Sequence, residues 1–141
     1  NDENVRWRAA RTLGAIGPDA AAAVPPLTAR LKDENTLARA HSAYALGLIG
    51  AASKASAPNL VAAVADEDPV VRRAALRALL KIKPDREVTR PLFKKILESS
   101  DRATVTAVLH SMAELGADAV PALNEALDHQ DGRYWASLVV Q

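Results

Sequence analysis

The stretch NVRWRAARTLGAIG at residues 4–17 returns 33 positions later as LARAHSAYALGLIG at 37–50, and again as VVRRAALRALLKIK at 70–83. The shift superposes Arg6 on Arg39 and Arg72, Leu13 on Leu46 and Leu79, and Ile16 on Ile49 and Ile82. Further along, Pro25 falls on Pro58 and Pro91, Leu27 on Leu60 and Phe93, and Asp33 on Asp66. A fixed period of this length is the signature of a stacked repeat, in which each unit is too small to bury its apolar face alone. A fourth copy starts at Asp101 and runs through Met112, Leu115, Gly116, Pro121, Leu123 and Leu127, with a shorter middle. A fifth opens at Asp131 and stops within its first helix. The copies span residues 2–34, 35–67, 68–100 and 101–130, with a partial copy at 131–141.

Within each copy the apolar spacing predicts two helices. Val5, Ala9, Leu13 and Ile16 stand at steps of four, four and three, one face of a helix. Val71, Ala75, Leu79 and Ile82 repeat it. Asp68-Pro69 is a start signal, because the carboxylate accepts from free N–H groups and proline fits the first helical position. Asp2, Asn35, Asp101 and Asp131 hold the equivalent site. Gly17, Gly50 and Gly116 follow the last apolar residue, where a left-handed cap conformation is easiest for glycine. The second helix is expected to start near Pro25, Pro58, Pro91 and Pro121, after a tight or single-turn connection. It buries Leu27 and Leu31, then Leu60 and Val64, then Phe93 and Leu97. Gly14 and Gly47 lie inside the first helix, where glycine costs about 1 kcal/mol against alanine; close helix–helix approach is the expected compensation. In the third copy Leu80 takes this position and Lys83 takes the cap position of Gly17 and Gly50, so this copy is expected to pack and turn differently.

Composition agrees with this reading. Of 141 residues, 49% are hydrophobic and 25% charged, enough to pack a core. Alanine is the commonest residue and aromatics only 4%, which suits close-packed helices and not a β-sandwich. No cysteine is present, which excludes a disulfide scaffold, a thiolate nucleophile and Cys-ligated zinc. No apolar run approaches the roughly 20 residues of a membrane helix, so no membrane partner is expected. The chain opens without methionine and closes on Val139-Val140-Gln141 inside an apolar pattern, so it reads as a fragment of a longer solenoid. Compartment stays open, with the cytoplasm as the working expectation.

On the strength of residues 2–17 and of Val24-Pro25-Pro26-Leu27, the chain resembles the HEAT-repeat family, in its short phycobilisome-lyase-type form. The resemblance covers residues 2–130. It implies an all-α, right-handed solenoid of stacked antiparallel helix pairs, about four and a half repeats long. First helices would lie on the convex side and second helices would line the concave side. It also implies that Arg6, Arg39 and Arg72 bond to aspartates at the repeat junctions, with the ladder broken where Val105 replaces the arginine.

Catalytic chemistry is poorly represented. The histidines occur as His41-Ser42, His110-Ser111 and His129-Gln130, without the His-Glu pairs of the family's di-iron hydroxylase. Residues at i and i+1 on a helix point apart, so these are not nucleophile–base pairs. The isolated glycines make no phosphate loop, and no cofactor or metal is expected. The expected function is a non-catalytic scaffold for a protein or peptide, held on the concave face by Thr28, Lys32, Asn59, Ala62, Lys94, Lys95, Asn124 and Glu125. A bilin lyase-like or other HEAT-like enzyme is the first alternative. Nucleic-acid binding through the third repeat is the second: residues 68–97 carry a net charge of +6, and 98–131 a net charge of −6. Those positive charges are divided between two helices, so nucleic acid ranks low. Tyr134 and Trp135 are candidates for a terminal cap or docking site, and uncapped ends suggest end-to-end self-association.

Overall fold

The structure, a computed structural model, describes residues 2–99 and 101–119. Every regular element in that range is a helix. The first helices are α1 (Glu3–Ile16), α3 (Thr36–Ile49), α5 (Pro69–Ile82) and α7 (Arg102–Ala113). The second helices are α2 (Val24–Arg30), α4 (Ala57–Ala63) and α6 (Arg86–Ser99). Segments of 3-10 helix, Gly17–Ala23 and Gly50–Ser56, join the pairs of the first two copies, and another follows α7 at Gly116–Ala119.

The capping residues act as their side chains dictate. Asp2 accepts from the Asn4 amide at 3.0 Å, Asn35 from Ala38 at 3.0 Å, Asp68 from Val70 at 2.8 Å and Asp101 from Thr104 at 3.0 Å. Each satisfies a donor that the first turn of a helix leaves open. At the far ends, Gly17 and Gly50 take positive φ of 72° and 79° but ψ of −138° and −134°, so they are not the expected left-handed caps; each leads straight into a 3-10 segment.

First helices stack side by side, α1 on α3 and α3 on α5, while α2 lies on α3 and α4 on α5. One continuous apolar cluster runs through the row, from Ala10 to Met112. Leu46, Leu60, Val64, Val71 and Leu109 are fully buried in it, each worth about 1.5–3 kcal/mol of removal from water. Small residues set the spacing. A Cβ on Gly14 would stand 3.0 Å from the Ala45 Cα, and one on Gly47 only 2.9 Å from the Ala78 Cα. Glycine inside these helices is therefore a packing requirement, as the spacing anticipated.

Three features break the regularity of the row. The face of Val5 and Ile16, buried at the equivalent Ala38, Ile49, Val71 and Ile82, is 61% and 52% exposed in the first copy. Among the described residues no further helix lies over α1. The third copy has no 3-10 segment: Lys83 ends α5 at φ 51°, ψ 59°, and α6 begins at Arg86 instead of near Pro91, which lies inside it. Finally, Phe93 and Leu97 are only partly buried where Leu60 and Val64 are wholly so. The fourth copy beyond residue 119 and the partial fifth lie outside the described residues.

Candidate binding groove

Two neighbouring recesses occupy the surface between α2 and α4. One, of about 400 Å³, is walled by Leu31, Lys32, Asn59 and Ala62, with Arg39 and Asp66 also lining it. The other, of about 630 Å³, lies between Val24, Pro25 and Thr28 on one side and Ala55, Ser56 and Asn59 on the other, with Lys32 shared. Lys32 and Asn59 border both, so the recesses form one groove. The larger recess is walled mainly by apolar side chains, whereas the smaller is mostly polar, with Asp33, Arg39, Asp66 and the exposed Glu67 beside Lys32 and Asn59.

The lower recess rests on an ion-pair ladder. Arg39 makes a two-pronged contact with Asp66, Nε to Oδ2 at 2.9 Å and Nη2 to Oδ1 at 3.1 Å. Its Nη1 donates to the Asp33 and Glu34 carbonyls at 2.9 and 3.3 Å, tying the second copy to the first. Arg6 sits 2.9 Å from Asp33 in the same way. Burial pushes the Asp33 carboxyl up, but the Asn35 amide and the guanidiniums of Arg6 and Arg30 outweigh it and hold it below the usual carboxylate range. The hydrogen bond to the Asp66 carboxylate outweighs burial and raises the pKa of Arg39, so the guanidinium stays charged.

The third rung differs. Arg72 repeats the backbone contacts, Nη1 donating to the Asp66 and Glu67 carbonyls at 2.9 and 3.1 Å. Among the described residues its Nε donates to Ser111 Oγ at 3.2 Å, not to an aspartate. Sequence explains it: Ser99 stands where Asp33 and Asp66 stand in the earlier copies. The resemblance implied three arginine–aspartate rungs; two form.

The sequence candidates divide into three sets. Thr28, Lys32, Asn59 and Ala62 come together on the groove. The Thr28 hydroxyl is already engaged, hydrogen-bonded to the Val24 carbonyl at 2.7 Å and to Ser56 Oγ. Lys94 and Lys95 are exposed on α6, which packs against α4, and Lys94 reaches Glu98 at 3.7 Å. Asn124, Glu125, Tyr134 and Trp135 lie outside the described residues. What sequence reading missed is the Arg39–Asp66 pair in the groove floor; the resemblance placed it at a junction, but only packing shows that the junction lines the groove.

Among the described residues no group of three or more His, Asp or Glu side chains converges as a metal site would. No helix among them is long and apolar enough to cross a membrane. The excess charge of the third copy does not form one patch: Arg73 reaches Glu114 at 3.7 Å on the first-helix side, while Lys94 and Lys95 stand on α6.

Stacked helix pairs with a shared core and a shallow groove along the second helices define an α-solenoid of the kind that presents a surface rather than a pocket. The family model for HEAT repeats matches residues 1–80 and 57–140, so the chain belongs to the HEAT-repeat family. No curated protein matches it. HEAT repeats generally serve as protein-interaction scaffolds.

Proposed function

We infer that this chain is a non-catalytic scaffold that holds an extended peptide segment in the α2–α4 groove. The observation that carries the reading is the continuity of the two recesses through Lys32 and Asn59. An extended segment carries unpaired backbone groups, and the Asn59 carboxamide can both donate to and accept from them. The apolar wall at Val24, Pro25, Ala29 and Ala55 suits small apolar side chains, the Lys32 ammonium suits a carboxylate, and Glu67 at the far end of the groove suits a cation. The ladder beneath holds α2 and α4 in fixed relation, so the groove is formed before a ligand arrives, which lowers the entropic cost of binding. Lys94 and Lys95 extend the same face along α6 and favour acidic residues at one end of the bound segment.

A displayed peptide library panned against the full chain and against Lys32→Glu/Asn59→Arg tests this. Peptides enriched on the parent should be lost from the variant, with its thermal unfolding unchanged. Lys94→Glu/Lys95→Glu should weaken the acidic members of the set selectively. The same peptides enriched on both proteins would place the ligand elsewhere.

A further inference from the structure

The opposite side of the molecule carries a second, differently built surface. On α3 the outward positions are Leu37, His41, Tyr44 and Leu48, at steps of four, three and four. Leu37 is 49% and Tyr44 48% exposed, values high for large apolar side chains. The one charged residue of α3, Arg39, is turned into the groove floor and buried. So the whole outer stripe of this helix is uncharged, in a protein one quarter charged.

On both sides of the stripe stand arginines. α1 carries Arg8 and Arg11, three apart, and α5 carries Arg73 and Arg77, four apart; such spacings put each pair on one face. Glu114 engages Arg73. Arg11 and Arg77 have no carboxylate partner among the described residues. The stripe is also stiffened. The Trp7 ring stacks on His41 at 5.3 Å between centroids and 25° between planes, and Arg8 sits 5.4 Å from the Trp7 centroid. Burial, and then the Arg11 charge, push the His41 pKa down, so the imidazole is a flat neutral part of the stripe at neutral pH.

We propose that the outer face of α1, α3 and α5 docks an acidic amphipathic helix of a partner protein, laid along α3 with its apolar side on Leu37, His41, Tyr44 and Leu48. The dimensions fit. Packed helices stand about 8–10 Å apart, so the arginine pairs are about 16–20 Å apart across α3. A helix about 10–12 Å in diameter lies between them, and the arginine stems reach inward to carboxylates on its flanks. Charge complementarity then sets orientation, and the aromatic and arginine side chains supply contact area. Single-stranded nucleic acid fits less well: both ends of the stripe, Leu37 and Leu48, are aliphatic, and the Trp7 ring is already occupied by His41 and Arg8.

The probe is a fluorescein-labelled helical peptide of Leu, Ala and Glu, with leucines at i, i+4, i+7 and i+11 and glutamates on both flanks. Its anisotropy is measured with the full chain. Binding should weaken about tenfold or more when peptide glutamates become glutamines, and equally when the protein carries Arg11→Glu/Arg77→Glu. A peptide with lysine in place of glutamate should bind that variant better than it binds the parent. Tyr44→Ser should weaken the glutamate peptide without altering salt dependence, whereas Lys32→Glu/Asn59→Arg should leave it unchanged, which separates this face from the groove. Arg11→Gln/Arg77→Gln replaces the double reversal if that variant melts early. Equal binding of the glutamate and glutamine peptides would overturn the proposal, as would indifference to both arginine variants. Tighter binding of a single-stranded oligonucleotide at the same arginines would overturn it in favour of a nucleic-acid ligand.

Discussion

At the α3–α5 seam a glycine, Gly47, lets the Ala78 backbone approach to where a Cβ would stand 2.9 Å away, and a two-pronged Arg39–Asp66 pair closes the junction. At the α5–α7 seam the corresponding residues are Leu80 and Ser99, and the two helices meet along a thinner contact. Arg72 turns to Ser111, and α6 packs on α4 without the 3-10 segment that precedes α2 and α4. The overall repeat survives all of these changes. What changes is how tightly one copy holds the next: seam strength is set by a few residues, while the helix pair itself is set by apolar spacing and caps.

Introducing at the tight seam the residue carried by the loose one tests this most severely. Gly47→Leu forces a side chain against the α5 backbone and should cost about 3 kcal/mol or more in urea denaturation. The reverse change, Leu80→Gly, should cost less, about 1–2 kcal/mol from helix propensity and a half-buried side chain. Near-equal losses would mean that the two seams are equivalent.

Next in size is the ladder. Arg39→Ala leaves the partly buried Asp66 without its partner and frees two carbonyls, so about 2–3 kcal/mol should be lost. Arg72→Ala, which removes backbone contacts and a neutral hydroxyl partner, should cost about 1 kcal/mol. If Arg72→Ala were the worse of the two, the aspartate rung would not be what strengthens the junction.

The ladder also makes acid sensitivity regional. The folded state holds the Asp33 carboxyl below its ordinary range. Its contribution is therefore complete above the unfolded value of about 3.9 and is lost as pH falls through the lower folded value. Asp33→Asn should flatten the fall in thermal stability below about pH 4. The Ser99 position supplies no such carboxylate, so Ser99→Ala should leave the acid limb unchanged. Superimposable acid limbs for the parent and Asp33→Asn would remove Asp33 from the account.

Much of this contrast can be read in the chain before any coordinates. The repeat, the caps at Asp2, Asn35, Asp68 and Asp101, and the packing role of Gly14 and Gly47 follow from spacing and residue type alone. So does the irregular third turn, from Lys83 and Leu80. Three things do not. Periodicity places Val5 and Ile16 on one apolar face of an end without a cap, but only packing shows that this face is left uncovered among the described residues. Pro91 looks like a helix start because Pro25 and Pro58 are; without a glycine cap upstream, α6 starts earlier and runs through it. And of the groove, helical phase located Lys32, Asn59 and Ala62, but which polar groups are already committed, as at Thr28, is decided by neighbours distant in sequence.

The smallest effect concerns the end of α5. Lys83 occupies φ 51°, ψ 59°, the left-handed helical conformation, whereas Gly17 and Gly50 at the same position take φ 72°, ψ −138° and φ 79°, ψ −134°, a region open essentially to glycine alone. Its amide still donates to the Leu79 carbonyl at 2.9 Å, so the cap is formed and only the residue is unfavourable. Lys83→Gly removes the left-handed penalty of about 1 kcal/mol and gives back part of it as unfolded-state entropy. A net gain of about 0.5 kcal/mol is expected, visible as a small rise in urea midpoint. The thin α5–α7 seam should be unchanged, since Leu80 remains. If Lys83→Gly instead restored a tight seam, measured as hydrogen-exchange protection of α7 rising to that of α3, the cap and not Leu80 would be what loosens the third junction.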